Sequence, residues 1–149
     1  MGSWTPESIP YGVSKFEELR DQGRYYIDKS EYIRLLEQRA DFLFFVRPRR
    51  FGKSLFVDML RCYYDCNKKG DFQKLFGDLA IGKNPTKGAN KYQVLALDFS
   101  KVNKGEGLTL EERFDSYMKK RLNAFMREYG ENIPRSFDMN SPNQQQPRK

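Results

Sequence analysis

The feature that most constrains the fold is a run of five apolar residues that ends in a basic, glycine-containing turn. The run covers residues 42–46, F-L-F-F-V, and the turn continues as R-P-R-R-F-G-K-S over residues 47–54. Apolar residues then recur at helical spacing at Leu55, Phe56, Met59, Leu60 and Tyr63. A short apolar run predicts a buried strand, and this spacing predicts an amphipathic helix. The sequence therefore predicts a strand, a loop and a helix in succession.

The junction between this loop and the helix is a predicted phosphate site. Free N–H groups and the helix dipole favour an anion there, and Gly52 lets the backbone approach it. Lys53 is predicted to reach the terminal phosphates of ATP, and the Ser54 hydroxyl to ligate the Mg²⁺ that bridges them. The usual pattern, G-x-x-x-x-G-K-[ST], has glycine where this chain has Arg47. We expect Arg47 to be structural, tying the loop to the domain through a carboxylate or a carbonyl.

The predicted nucleotide contacts are Arg49, Arg50, Phe51, Gly52, Lys53, Ser54 and Leu55, and the predicted metal ligands are Ser54 and Asp98. No catalytic residue is assigned.

These motifs resemble those of the bacterial AAA-ATPase-like domain family, in which arginine commonly replaces the first loop glycine. The resemblance rests on R-P-R-R-F-G-K-S-L at residues 47–55, with I-P-Y-G at 9–12, F-E-E-L-R at 16–20 and Y-I-D-K-S at 26–30. It implies an α/β, P-loop NTPase-like fold that binds ATP and Mg²⁺. It also implies that Asp28 and Lys29 lie near the loop, although Asp28 could equally cap a helix.

A second apolar segment, Y-Q-V-L-A-L-D-F-S at residues 92–100, predicts another strand. Two apolar strands separated by a helix predict a partial parallel sheet with flanking helices. Asp98 would then lie at the strand end that faces the loop, where a magnesium ligand is expected. The resembled family instead carries its acidic Walker B pair on a later strand, and no aspartate-glutamate pair follows residue 100. Asp98 is therefore the metal ligand, a residue that supports the metal ligands without touching the ion, or a capping residue, and we expect weak nucleotide binding with little or no hydrolysis.

The charge and composition limit the class of protein. A net charge of +7 favours polyanion partners, so the alternative to nucleotide binding is a basic module for nucleic acid or for an acidic protein surface. No apolar run approaches the length of a membrane span, and a cytoplasmic location is the default expectation. The absence of histidine excludes histidine-based catalysis.

The predicted organisation is one domain over residues 1–130 and a disordered, basic and polar tail over residues 131–149. Because the sheet would be incomplete, we expect a missing C-terminal half or a partner chain to cover its edge. Helices are predicted after Ser14, after Asp28 or Ser30, after Gly52, and over residues 108–129. Cys62 and Cys66 lie four apart on one helix face, where a metal or redox pair is the less favoured interpretation.

Overall fold

The structure, a computed structural model, describes residues 12–39, 42–102, 107 and 109–130. The chain divides into two compact units between Val94 and Leu95. The predicted tail at residues 131–149 and the I-P-Y motif at 9–11 lie outside the described residues, so the predicted domain organisation stays a prediction. None of the described helices combines the length and the apolar character needed to cross a membrane.

The first unit is built from short helices around one long one. The α-helices are α1 (Phe16–Asp21), α2 (Tyr32–Glu37), α3 (Lys53–Tyr64), α4 (Phe72–Phe76) and α5 (Ala80–Lys83), and a 3₁₀ helix covers Cys66–Asp71. The predicted helices after Ser14, Ser30 and Gly52 are confirmed. Such helices can be predicted because the sequence signals for a helix lie within a few residues of it. Their caps differ from the prediction: Lys15 precedes α1 and Glu31 precedes α2, neither with a side-chain capping bond.

The core of the first unit forms where α3 packs against α1, α2 and α4. Its most buried apolar members are Phe16, Ile33, Phe56, Met59, Cys62, Tyr63, Leu75, Phe76, Leu79 and Ile81. Phe56, Met59 and Tyr63 follow the three- and four-residue spacing of one face of α3. The amphipathic helix predicted after the loop is therefore confirmed, and its apolar face is buried in the core.

Charged side chains fix α1 against α3 at the edge of this core. The Asp58 carboxylate accepts a hydrogen bond from the Phe16 backbone N–H at 2.7 Å and pairs with the Arg61 guanidinium at 3.0 Å. Glu17 of α1 pairs with Arg61 at 3.5 Å and also with Lys68. Since the pairs are partly buried, they hold the register of α1 along α3 more than exposed pairs would.

The predicted α/β fold with a partial parallel sheet is wrong for the part of the chain that the structure describes. That part contains one isolated parallel bridge, between Asp65 and Tyr92, and no strand. Residues 42–48 have no regular structure, and Phe42, Phe44 and Val46 are 88%, 96% and 83% exposed. A strand is stable only when a neighbour pairs with its backbone, and no described segment does so here; of the side chains of the run, Phe45 stacks on Phe56 with 5.1 Å between ring centroids.

The second unit is centred on α6 (Leu110–Tyr129), which confirms the predicted long helix. Thr109 caps it in a reciprocal capping box with Glu112, in which each side chain bonds to the other residue's backbone N–H. The Arg121 guanidinium donates two bonds, of 2.8 and 3.2 Å, to the Ala96 carbonyl. The predicted strand over residues 92–100 is replaced here by an irregular segment that ends in a 3₁₀ helix over Phe99–Lys101.

Candidate functional site

The candidate site is the loop over residues 47–52 and the first turn of α3. Gly52 precedes α3 and has φ = 73°, and its carbonyl accepts the Phe56 backbone N–H at 2.9 Å. The first N–H groups of any α-helix lack acceptors within the helix, and glycine offers no side chain to cap them. These N–H groups, on a helix of 12 residues, therefore give the loop partial positive charge.

Two residues of the loop have left-handed backbone conformations. Gly52 adopts φ = 73° at no steric cost, but Arg50 adopts φ = 65°, which costs a non-glycine residue on the order of 1 kcal/mol. A Cβ atom added at Gly52 would meet nothing within 4 Å. The conformation rather than crowding selects glycine here, and the space beside it is open.

Lys53 closes the loop. Its Nζ donates to the Arg47 carbonyl at 2.6 Å and to the Pro48 carbonyl at 2.9 Å. An ammonium group has three donors, so these bonds leave one for another acceptor. These two bonds fix the Lys53 side chain beside the loop and connect residues 47 and 48 to the start of α3. The sequence did not predict them.

The arginines of the loop are exposed. The Arg47 guanidinium lies over the Phe45 ring, 5.9 Å from its centroid. Arg47 makes no ion pair within the described residues, so the predicted bond from its side chain to a carboxylate is not seen. Its backbone carbonyl instead accepts a hydrogen bond from Lys53. Arg49 and Arg50 present two further cationic side chains at the surface beside Gly52.

The remaining predicted contacts differ in burial. Ser54 is exposed in the first turn of α3, and Phe51 is 64% exposed. Leu55 is partly buried and packs against the core. Leu55 can therefore contribute its backbone N–H, while its side chain anchors the helix.

Asp98 belongs to the second unit and Ser54 to the first. The Asp98 carboxylate accepts bonds from the Ser100 hydroxyl at 2.6 Å and the Ser100 N–H at 3.2 Å, and pairs with Lys101 at 3.7 Å. The Ser100 hydroxyl bond, with the N–H bond and Lys101, lowers the pKa of Asp98 below its ordinary value. Asp98 therefore caps the 3₁₀ helix over Phe99–Lys101, which is one of the alternatives that the sequence left open.

Two cavities adjoin the loop, and both include Phe51, Gly52, Phe56 and Lys29 in their walls. The smaller, of about 190 Å³, is completed by Tyr32, Leu36, Phe45 and Arg47. The larger, of about 590 Å³, is completed by Leu19, Tyr25, Tyr26, Ile27, Arg50 and Leu55. The resemblance had implied that the segment around Lys29 lies near the loop, but it did not indicate that Tyr25 and Ile27 form a wall.

Asp28 has a structural role. Its carboxylate accepts hydrogen bonds of 2.8 Å from the Ser30 N–H and from the Ala80 N–H at the start of α5. Burial acts to raise the pKa of Asp28, but these hydrogen bonds outweigh it and the pKa is lowered. Asp28 thus ties the segment before α2 to α5, and Lys29 beside it is the residue that faces the cavities.

No metal-ligating cluster is present among the described residues: no three Asp, Glu or Cys side chains converge on one point. Both cysteines are free thiols, and Cys62 is fully buried while Cys66 is partly exposed. Burial raises the pKa of Cys62 to about 12, which keeps it a thiol. Neither observation supports a metal or redox role for the pair.

Comparison with known proteins identifies the family. The family described as Predicted AAA-ATPase, AAA-ATPase-like, matches residues 10–147. An uncharacterized protein in the vnfD 5′ region of Azotobacter chroococcum mcd 1 is 40% identical over 55 residues, which are 36% of this chain and 11% of that relative. No solved structure matches the chain. Because the family match spans most of the sequence, this chain belongs to the AAA-ATPase-like family of predicted AAA-ATPases.

Proposed function

We propose that this chain binds ATP with Mg²⁺ through a variant P-loop formed by residues 47–54. The observation that carries the proposal is the position of Lys53, whose Nζ is fixed by two loop carbonyls at the N-terminus of α3. A fixed ammonium beside a helix N-terminus and an open glycine can receive a phosphate without paying to order the side chain. Lys53 and the first-turn N–H groups would hold the phosphates.

The residues present are compatible with the magnesium that the family implies. Ser54 is exposed and follows Lys53 directly, which is the position from which a serine hydroxyl ligates the ion in a P-loop. When bound, the magnesium would neutralise charge on the phosphates. Arg49 and Arg50 supply further positive charge at the surface of the loop.

The experiment is a calorimetric titration of ATP into the protein with Mg²⁺ and, separately, with EDTA. We expect binding that tightens with Mg²⁺ in the wild type, and a Ser54→Ala variant in which Mg²⁺ no longer makes a difference. Absence of ATP binding by a folded wild-type protein would refute the proposal. If Mg²⁺ tightened ATP binding equally in Ser54→Ala and in the wild type, Ser54 would not be a ligand of the magnesium.

We further propose that this chain hydrolyses ATP slowly at most. Asp98, the acid that the sequence offers for the metal, caps its own 3₁₀ helix through Ser100 and pairs with Lys101. Steady-state phosphate release should therefore be close to background and should not change in Asp98→Asn. Turnover that is lost in Asp98→Asn would show instead that Asp98 holds the metal.

The nucleic-acid alternative is less well supported. Several basic residues of the first unit are engaged with carboxylates: Arg20 with Asp78, Arg61 with Asp58, and Lys74 with Asp21. The exposed cations of the loop, Arg47, Arg49 and Arg50, lie within four consecutive positions, whereas a protein that follows a phosphate backbone needs a longer row of cations. The same titration with single-stranded DNA at two salt concentrations tests this alternative, which predicts a steep salt dependence and indifference to ATP.

A further inference from the structure

The apolar run at residues 42–46 is exposed in a pattern of period two. Phe42, Phe44 and Val46 are 88%, 96% and 83% exposed, whereas Leu43 and Phe45 between them are 51% and 43% exposed. Side chains alternate between two faces along an extended chain, so this is the pattern of a strand with one face toward the core and the other face open. The backbone of the run bonds to no other described segment. The run therefore lacks a partner strand.

The inner face of the run is anchored to α3. The Phe45 ring stacks on the Phe56 ring with 5.1 Å between centroids, and the Arg47 guanidinium lies 5.9 Å from the centroid of the same Phe45 ring. Phe56 is buried and belongs to the core. A two-stranded ribbon is marginally stable in water by itself, but packing against a helix stabilises it. A strand that pairs with the run would therefore join a segment that α3 already supports.

The run is complementary to a second copy of itself. If two copies pair antiparallel about Phe44, the two Phe44 side chains lie opposite each other, and Phe42 of each copy lies opposite Val46 of the other on the open face. Leu43 lies opposite Phe45 on the inner face. Aromatic–aromatic and aromatic–β-branched pairs are among the favourable cross-strand pairs. Every position of this pairing therefore places an apolar side chain against another apolar side chain.

The charge that follows the run favours the antiparallel orientation. Arg47 comes directly after Val46. In a parallel, in-register pair the two Arg47 residues would lie on adjacent strands, about 5 Å apart. In the antiparallel pair they lie at opposite ends of the ribbon, about six positions or about 20 Å apart. This separation exceeds two Debye lengths at physiological ionic strength, so the arginines hardly repel each other.

We propose that residues 42–46 form a dimerisation strand, through which two copies of this chain pair antiparallel about Phe44. The pairing satisfies open backbone groups along one edge of each run, as in other cases where a strand is added to an exposed edge. Five residues per copy are far fewer than the roughly 20–30 of a standard interface, so the association is weak and depends on concentration. The proposal does not depend on ATP binding.

The test is sedimentation equilibrium of the protein at concentrations from about 1 μM to 1 mM. The average mass of the wild type should rise with concentration from the monomer toward the dimer. Phe44→Glu places two like charges opposite each other and should stay monomeric over the whole range. The matched control is Val57→Glu, which changes an apolar side chain of α3 that is 53% exposed and should dimerise as the wild type does. Circular dichroism checks that each variant is folded.

Pairs of charge variants test the orientation. Phe42→Glu and Val46→Lys should each weaken the dimer, and an equimolar mixture of the two should recover it, because the antiparallel pair places these positions opposite each other. A mixture of Phe42→Glu and Phe42→Lys should not recover it.

Three results would overturn the proposal. Recovery in the mixture of the two Phe42 variants would show a parallel pair, and a dimer of Phe44→Glu as strong as that of the wild type would place the interface elsewhere. A wild type that is monomeric even at about 1 mM would mean that a different chain, or a further segment of this one, covers the run.

Discussion

Replacement of Lys53 by methionine tests the role of the fixed ammonium group. The change keeps the unbranched apolar stem and removes the donors that bond to the Arg47 and Pro48 carbonyls at 2.6 and 2.9 Å. The third donor, if it bonds to a phosphate, makes one charge-assisted hydrogen bond, which contributes about 1.5–3 kcal/mol. Since about 1.4 kcal/mol is a factor of ten, ATP affinity should fall about 10- to 150-fold.

The same variant should lose some stability. Two hydrogen bonds in an exposed loop compete with water, so their loss should lower the free energy of unfolding by about 1 kcal/mol or less. Calorimetry with ATP and Mg²⁺ measures the first effect, and urea unfolding followed by circular dichroism measures the second. A stability loss several times larger would mean that Lys53 serves the fold more than the ligand.

Lys69→Met is the control for this experiment. Lys69 is exposed and lies beyond the opposite end of α3, a helix about 18 Å long that begins at Lys53, and its loss changes the net charge equally. We expect wild-type affinity from it. If Lys53→Met binds ATP as well as the wild type, or if Lys69→Met weakens binding to the same extent, the reasoning about the loop is refuted.

Three further predictions concern the two units. Tyr63→Phe removes a buried hydroxyl that accepts the Thr86 N–H at 2.8 Å, and urea unfolding should show a loss of about 1–3 kcal/mol; no loss would mean that water replaces the hydroxyl. Thr109→Ala removes the capping box of α6 and should cost about 1 kcal/mol, seen as faster hydrogen exchange in the first turn, with Thr109→Ser close to wild type. Cys66 should react with a thiol reagent much faster than Cys62, because Cys62 is buried and its pKa is raised to about 12; two equal rates in the folded protein would contradict the structure.

The helices of this protein were predictable because their signals lie within a few residues of each helix. The apolar spacing on α3 identifies a helix without reference to the rest of the chain, whereas the cap residues predicted for α1 and α2 are replaced by Lys15 and Glu31. Strands differ, since an apolar run becomes a strand only if another segment pairs with it. Residues 42–46 have the composition of a strand and find no partner among the described residues.

The part of the candidate site that depends on local sequence was predictable in the same way as the helices. Gly52, Lys53 and Ser54 lie at a helix N-terminus, as their order in the sequence indicates. The bonds from Lys53 to the loop carbonyls were not predictable, because the path of the loop depends on a left-handed arginine at position 50. Part of the wall of the larger cavity comes from residues 19–29, which precede the loop by 18 or more positions, and a local pattern cannot bring them together.

The exposed apolar run at residues 42–46 has a consequence for aggregation. Five apolar residues with an open backbone can pair with the same segment of another molecule and start a stacked β-structure. The residues that follow oppose this: Pro48 has no N–H to donate to such a ladder, and Arg47, Arg49 and Arg50 would bring like charges into register in every layer. The loop that we propose as the phosphate site therefore also opposes aggregation of the apolar run at residues 42–46. Substitutions that neutralise these arginines should favour fibril formation even where they leave the ligand chemistry intact.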